Sequence, residues 1–110
     1  MGISKTNVFS ESQNNLAITF KALSHPARIA IIEYLLRVKS CICGDIVNEL
    51  PLAQATVSQH LKELKNAGII KGNIEGNSIC YCLNPDKISF IKEYVNNIHQ
   101  SIVKHKNHCC

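Results

Sequence analysis

Six cysteines lie in three close pairs: Cys41 and Cys43, Cys80 and Cys82, and the adjacent Cys109 and Cys110. Thiols grouped this way bind soft metal ions or metalloids as thiolates, or exchange electrons as disulfides. Neighbours this close make poor disulfides with each other, because the bond demands a particular separation and angle of the two Cβ atoms. In a short exported chain an even cysteine count would indicate a disulfide framework. In a reducing compartment close pairs more often ligate metals or sense redox state. The opening stretch MGISKTNVFS carries no apolar signal segment, and no apolar run approaches the ~18 residues of a membrane span. A cytoplasmic setting with no membrane partner is therefore expected. Gly2 and Thr6 match the myristoylation pattern, which is too short to outweigh that expectation.

The remaining composition narrows the class. A chain of 110 residues suits a single domain, 1–110, near the size at which one core is just adequate. Apolar residues make up 45% and mark it as globular, while 5% aromatics and no tryptophan leave the core to Ile, Leu and Val. Such a core is expected to be completed by a second copy of the chain. The net charge of +4 permits a nucleic-acid partner without requiring one. Neither a C-x-x-C motif nor a phosphate-type anion loop is present, which argues against an enzyme such as a thiol oxidoreductase or an arsenate reductase, and no organic cofactor is implied.

The elements that must position these thiols can be read in order. Ser10 and Gln13 form a capping box ahead of Leu16, Phe20 and Leu23 at helical spacing. A second helix starts at Pro26, with Ile29, Ile32 and Leu36 on one stripe widened by Ile31 and Leu35. A short third helix is expected over 44–50, stopped by Pro51. The fourth, QATVSQHLKELKNAGII, has Val57, Leu61 and Leu64 as its buried stripe and Gly68 at its end. Residues 69–74 and 78–83 read as a two-stranded hairpin. Asn84, Pro85 and Asp86 then start a last helix by supplying a cap, a first-turn proline and an acid at the positive dipole end. This helix, with the cysteine-bearing tail, fills about 85–110. Ile88, Ile91, Val95, Ile98 and Ile102 follow steps of three and four, a narrow seam suited to a helix on a partner subunit.

Two helices joined by the PLAQ turn make a helix-turn-helix. The outer face of the second offers Gln54, Thr56, Ser58, Gln59, His60 and Lys62, donors and acceptors suited to base edges and phosphates. The hairpin adds Lys71, Asn73 and Asn77 for the adjacent backbone. The fold class expected is mainly α with a small β-hairpin wing, a winged helix-turn-helix on double-stranded DNA. An ordinary amphipathic surface helix would show the same periodicity.

KALSHPARIAIIEYL, then GDIVNELPLAQATVSQHLKELKNAGIIKG, then GNSICYCLNP closely resemble the arsenic-repressor (ArsR/SmtB) family of metal-sensing repressors. The likeness covers most of 20–85. It implies a winged-helix homodimer assembled through the first and last helices, here Leu16 and Phe20 with Ile88, Ile91, Val95, Ile98 and Ile102. It also implies that the ligand-free dimer represses and that ligand binding releases DNA.

By the same resemblance, Cys41 and Cys43 fall where arsenic-type members carry a cysteine motif. Residues i and i+2 point apart in a helix and the same way in extended chain, so both thiols grip one ion only if this segment is not fully helical. Trivalent arsenic, inorganic or methylated, or a similar soft metal ion is the implied inducer. The third cysteine usual in the arsenic type is missing here, so Cys109 and Cys110 are the expected donors of a third thiolate. An alternative keeps the repressor and makes persulfide or redox state the signal, through a link from Cys41 or Cys43 to Cys109 or Cys110. Cys80 and Cys82 are expected to face outward or against the last helix, with no role in sensing. The family's zinc site on the last helix is disfavoured. Asp86 and His99 have the right offset, but Ile88 and Ile102 stand at the other ligand positions.

Overall fold

The computed structural model describes residues 8–38, 42–43, 50–75 and 78–105, with 42–43, 73–75 and 78–79 described by their backbone. Helix α1 (Glu11–Leu23) opens on Ser10, whose hydroxyl accepts the Gln13 N–H at 3.0 Å while Gln13 Oε1 accepts the Ser10 N–H at 3.0 Å. This is the reciprocal capping the spacing predicts. Helix α2 (Pro26–Val38) is preceded by His25, whose carbonyl accepts from Arg28 and Ile29 and whose Nδ1 accepts the Ala27 N–H at 3.0 Å. Strand β1 (Ile42–Cys43) follows, then helix α3 (Gln54–Asn66), strands β2 (Ile70–Glu75) and β3 (Ser78–Leu83), and helix α4 (Pro85–Lys104). The helix expected over 44–50 lies, apart from Leu50, outside the described residues.

Gly68 ends α3 for a steric reason. Its φ of +78° lies in the left-handed region, where a Cβ is strained. The turn lets Ile69 N–H reach Leu64 O at 3.0 Å and Gly68 N–H reach Lys65 O at 2.9 Å, satisfying two helix-end carbonyls. Asn84 then ties the far end of the wing to this turn. Its N–H donates to Ile69 O and its Nδ2 to Gly68 O, both at 2.9 Å, while its Oδ1 caps α4 through the Asp86 N–H at 3.1 Å.

The sheet has three strands in the order β1-β3-β2, each pair antiparallel. The expected hairpin is present, but β1 is an addition. It pairs Ile42 with Tyr81 and Cys43 with Cys80. The pairing accounts for extended chain at Cys43, the conformation that two thiols at i and i+2 need in order to share an ion.

The core comprises Ala22 of α1, Ile31 and Leu35 of α2, Val57, Leu61 and Leu64 of α3, and Ile69 and Ile70 at the wing base. Each large aliphatic side chain so buried contributes roughly 1.5–3 kcal/mol. The α2 stripe needs correction. Ile31 and Leu35 are the buried pair, Ile32 is half-buried, and Ile29 and Leu36 are exposed. Two apolar stripes compete on this helix, and the one turned to α3 and β3 is the one buried.

Candidate nucleic-acid interface and thiol site

The outer face of α3 is open. Gln54, Thr56, Ser58, Gln59 and Lys62 are all exposed, as expected. The N-cap is Ala53, whose methyl group offers no acceptor to the first-turn N–H groups, and the first turn carries no acid. An uncapped helix start of this kind suits a phosphate oxygen. Gln59 Nε2 donates to Glu63 Oε2 at 3.0 Å, so a contact from Gln59 to a base would exchange this bond for another. On the wing, Lys71 is exposed. Asn73 stands on β2 opposite Cys80, and Asn77 lies outside the described residues.

His60 does not belong to that face, which corrects the expectation. It is 8% exposed and turned into the subunit. Arg28 Nε donates to its Nδ1 at 3.1 Å, and the His25 ring lies 4.4 Å away at 47°. Burial holds the His60 pKa below the usual 6.5, and positive charge on His25 and Arg28 presses the same way, while Glu63 opposes it. Arg28 also donates through an Nη to Ala22 O at 3.2 Å and Lys21 O at 3.5 Å. One guanidinium therefore ties the end of α1 and the start of α2 to the middle of α3. Sequence reasoning missed this role. Polar residues at helical spacing do not reveal which of them is buried, though the adjacent His25, Pro26 and Arg28 were the available signal.

The thiols divide. Cys41, Cys109 and Cys110 lie outside the described residues, and Cys43 is placed by its backbone on β1 opposite Cys80. Cys80 does not face outward. It is 1% exposed, and both Cys80 and Cys82 are disulfide-bonded. Tyr81 and Leu83, from the other face of β3, pack on the core. Among the described residues no three His, Cys, Asp or Glu side chains are grouped to hold a metal ion, and no helix is long and apolar enough to cross a membrane.

The faces expected to meet a second subunit are apolar and open. Ile88, Val95, Ile98 and Ile102 are exposed and Ile91 is half-buried, and Phe90, Tyr94 and Val103 widen the stripe. Phe20 is exposed and Leu16 half-buried on α1, and the Phe20 ring lies 6.0 Å from Tyr94 on α4.

Residues 25–71 match the family model described as bacterial regulatory protein, arsR family. A cadmium resistance transcriptional regulatory protein CadC homolog of Staphylococcus aureus is 34% identical over 90 residues, covering 81% of this chain and 74% of that protein. The chain belongs to the arsR family. The arsenical resistance operon repressor of Staphylococcus xylosus is 29% identical over 90 residues, covering 82% and 86%. Among solved structures, an ArsR-like transcriptional regulator from Rhodococcus sp. RHA1 superposes with a TM-score of 0.74 at 21% identity, covering 87% and 90%. The resemblance read from the sequence is thereby borne out, and with it the winged helix-turn-helix fold. The protein is an ArsR-family transcriptional repressor, and the proteins it resembles are DNA-binding regulators, not enzymes.

Proposed function

We propose that this ArsR-family member is a cytoplasmic homodimer that holds double-stranded operator DNA and releases it when a soft thiophilic species binds Cys41 and Cys43. Trivalent arsenic, inorganic or methylated, is the species favoured. Gln54, Thr56, Ser58, Gln59 and Lys62 read the major groove, and Lys71, Asn73 and Asn77 of the wing hold the flanking backbone. Helices α1 and α4 join the subunits. The observation that carries the reading is the pairing of Cys43 with β3. It links the thiol-bearing segment by backbone hydrogen bonds to a wing strand, so ligation there is felt beside the reading helix. The pair leaves one position of a three-coordinate ion open, and the sequence offers Cys109 and Cys110 for it.

Release requires that the inducer bind the DNA-free form more tightly, with a coupling of typically ~1–3 kcal/mol. The test titrates arsenite, antimonite, cadmium and lead into the reduced repressor on its operator. Cys41→Ser and Cys43→Ser should each bind the operator as the unmodified protein does and resist release. Release of the double variant at unchanged arsenite concentrations would end the sensing role.

A second reading has one observation in its favour. Cys80 and Cys82 are disulfide-bonded, which favours thiol oxidation as a signal, at the wing strand and not through the link from Cys41 or Cys43 to Cys109 or Cys110 that the sequence suggested. Loss of operator binding that reductant reverses, with no ion present, would identify it.

A further inference from the structure

Cys80 is buried, with 1% of its surface exposed. It and Cys82 are both disulfide-bonded, but not to each other. Residues i and i+2 of a strand carry their Cβ atoms about 6.6 Å apart, whereas a disulfide needs roughly 3.5–4.5 Å. Their sulfur partners must come from other segments. On one side of β3 lies β2, which contains no cysteine. On the other lies β1, whose register sets Cys43 directly opposite Cys80. Facing residues of an antiparallel pair hold their Cβ atoms about 4.5–5.5 Å apart on the same side of the sheet. Strand alternation puts Cys82 on that side as well.

We infer that Cys80 of the wing strand, facing Cys43 across the sheet, supplies the third thiolate of the soft-ion site, with Cys82 beside it as a fourth. The inference rests on the soft-ion reading above and replaces the tail thiols Cys109 and Cys110 as donors. Three thiolates suit trivalent arsenic, and four suit a tetrahedral ion such as cadmium or zinc. The ion-binding form is the reduced one. Each disulfide takes two electrons and two protons from an external dithiol, which itself becomes a disulfide, and each resulting thiol loses its proton to solvent as it binds the ion. Ligation at Cys80 acts on β3, the strand that pairs along its whole length with β2 and so sets the wing against DNA.

The test uses the full-length repressor reduced with a phosphine under anaerobic conditions. Cadmium binding is followed by thiolate-to-metal absorption, and arsenite by displacement of operator DNA. Cys80→Ser should weaken arsenite binding by more than about tenfold, since even an outer-shell partner is worth 10–100-fold, and should lower the cadmium absorption per ion. Cys82→Ser should lower the cadmium absorption while leaving the arsenite response. Cys109→Ser/Cys110→Ser should leave both unchanged. In case the buried Cys80 variant fails to fold, the unmodified protein is also loaded with arsenite, digested, and its arsenic-bridged peptides identified by mass. A bridge joining the Cys43 peptide to the Cys80 peptide supports the site, and a bridge from Cys43 to the tail overturns it. Undiminished arsenite binding by folded Cys80→Ser, with Cys41→Ser/Cys43→Ser unresponsive, sinks the wing's part alone. An unmodified protein that binds neither ion sinks both readings.

Discussion

Of the thirteen residues of α3, Val57, His60, Leu61 and Leu64 are buried, whereas all twenty residues of α4 are described and none is buried. Both helices are amphipathic. The apolar side of α3 is met within the subunit by α2 and the wing base, which fixes the helix and leaves its polar side free. Among the described residues the apolar side of α4 meets α1, where the Phe20 and Tyr94 ring centroids lie 6.0 Å apart. A stripe from Ile88 to Val103 left in water is costly enough to be a docking face. Amphipathicity alone therefore does not say what a helix faces. The polar side of α3 suits DNA, and the apolar side of α4 suits a second copy of the chain.

The sharpest way to break this comparison is to charge the open face. Ile98→Asp would place a carboxylate between subunits, a burial that costs several kcal/mol unless it is paired. The dimer should dissociate in analytical ultracentrifugation and operator affinity should fall with it, because a palindrome engages two reading helices at once. A monomer with undiminished operator affinity would defeat the assignment of α4.

The matching change on the closed face is Leu64→Ala, at a side chain with no exposed area. It should cost about 2–5 kcal/mol of subunit stability in chemical denaturation. Ile98→Ala should instead lower stability only as protein concentration falls, as expected where burial depends on a partner.

Smaller effects separate the two kinds of DNA contact. Gln59→Ala should cost ~1–3 kcal/mol at the operator and little at random sequence. Part of that would be recovered because Glu63 no longer has to give up its partner. Lys71→Ala should weaken all sequences alike and reduce the salt slope by about 1. Equal losses at operator and random DNA for Gln59→Ala would remove α3 from base reading.

The smallest expected effect concerns acid. The His60 pKa is depressed in the fold, so below 6.5 the unfolded chain takes up a proton that the folded one resists. Its stabilising contribution is complete above 6.5 and is lost as pH falls through the folded value. Thermal midpoints should decline on that side, and Arg28→Ala should move the His60 titration, followed by NMR, toward 6.5. An unmoved titration would mean that Arg28 does not govern this histidine.

The local elements were legible from the chain because their causes are local. The Ser10–Gln13 cap, the Pro26 start, the glycine at 68 and the Asn84–Pro85–Asp86 start each depend on residues within a few positions of one another. The family motif was legible for the same reason, being a contiguous string. The reading failed wherever two surfaces of one element competed. Sequence alone did not reveal that Ile31 and Leu35 would win over Ile29 and Leu36, or that His60 would turn inward to Arg28 rather than outward.

The pattern of residues by itself determined the helix ends, the wing hairpin, the arsR family and the presence of closely paired thiols. Tertiary structure decided which pairs face each other. The spacing of Cys41 and Cys43, like that of Cys80 and Cys82, says only that each pair shares a face if the chain is extended. That Cys43 stands opposite Cys80 depends on β1 adding to the edge of β3, a contact between segments 37 residues apart in sequence (80 − 43). Registers of that kind follow from which edge of the sheet is free and which face is covered, and neither is a property of a short stretch of sequence.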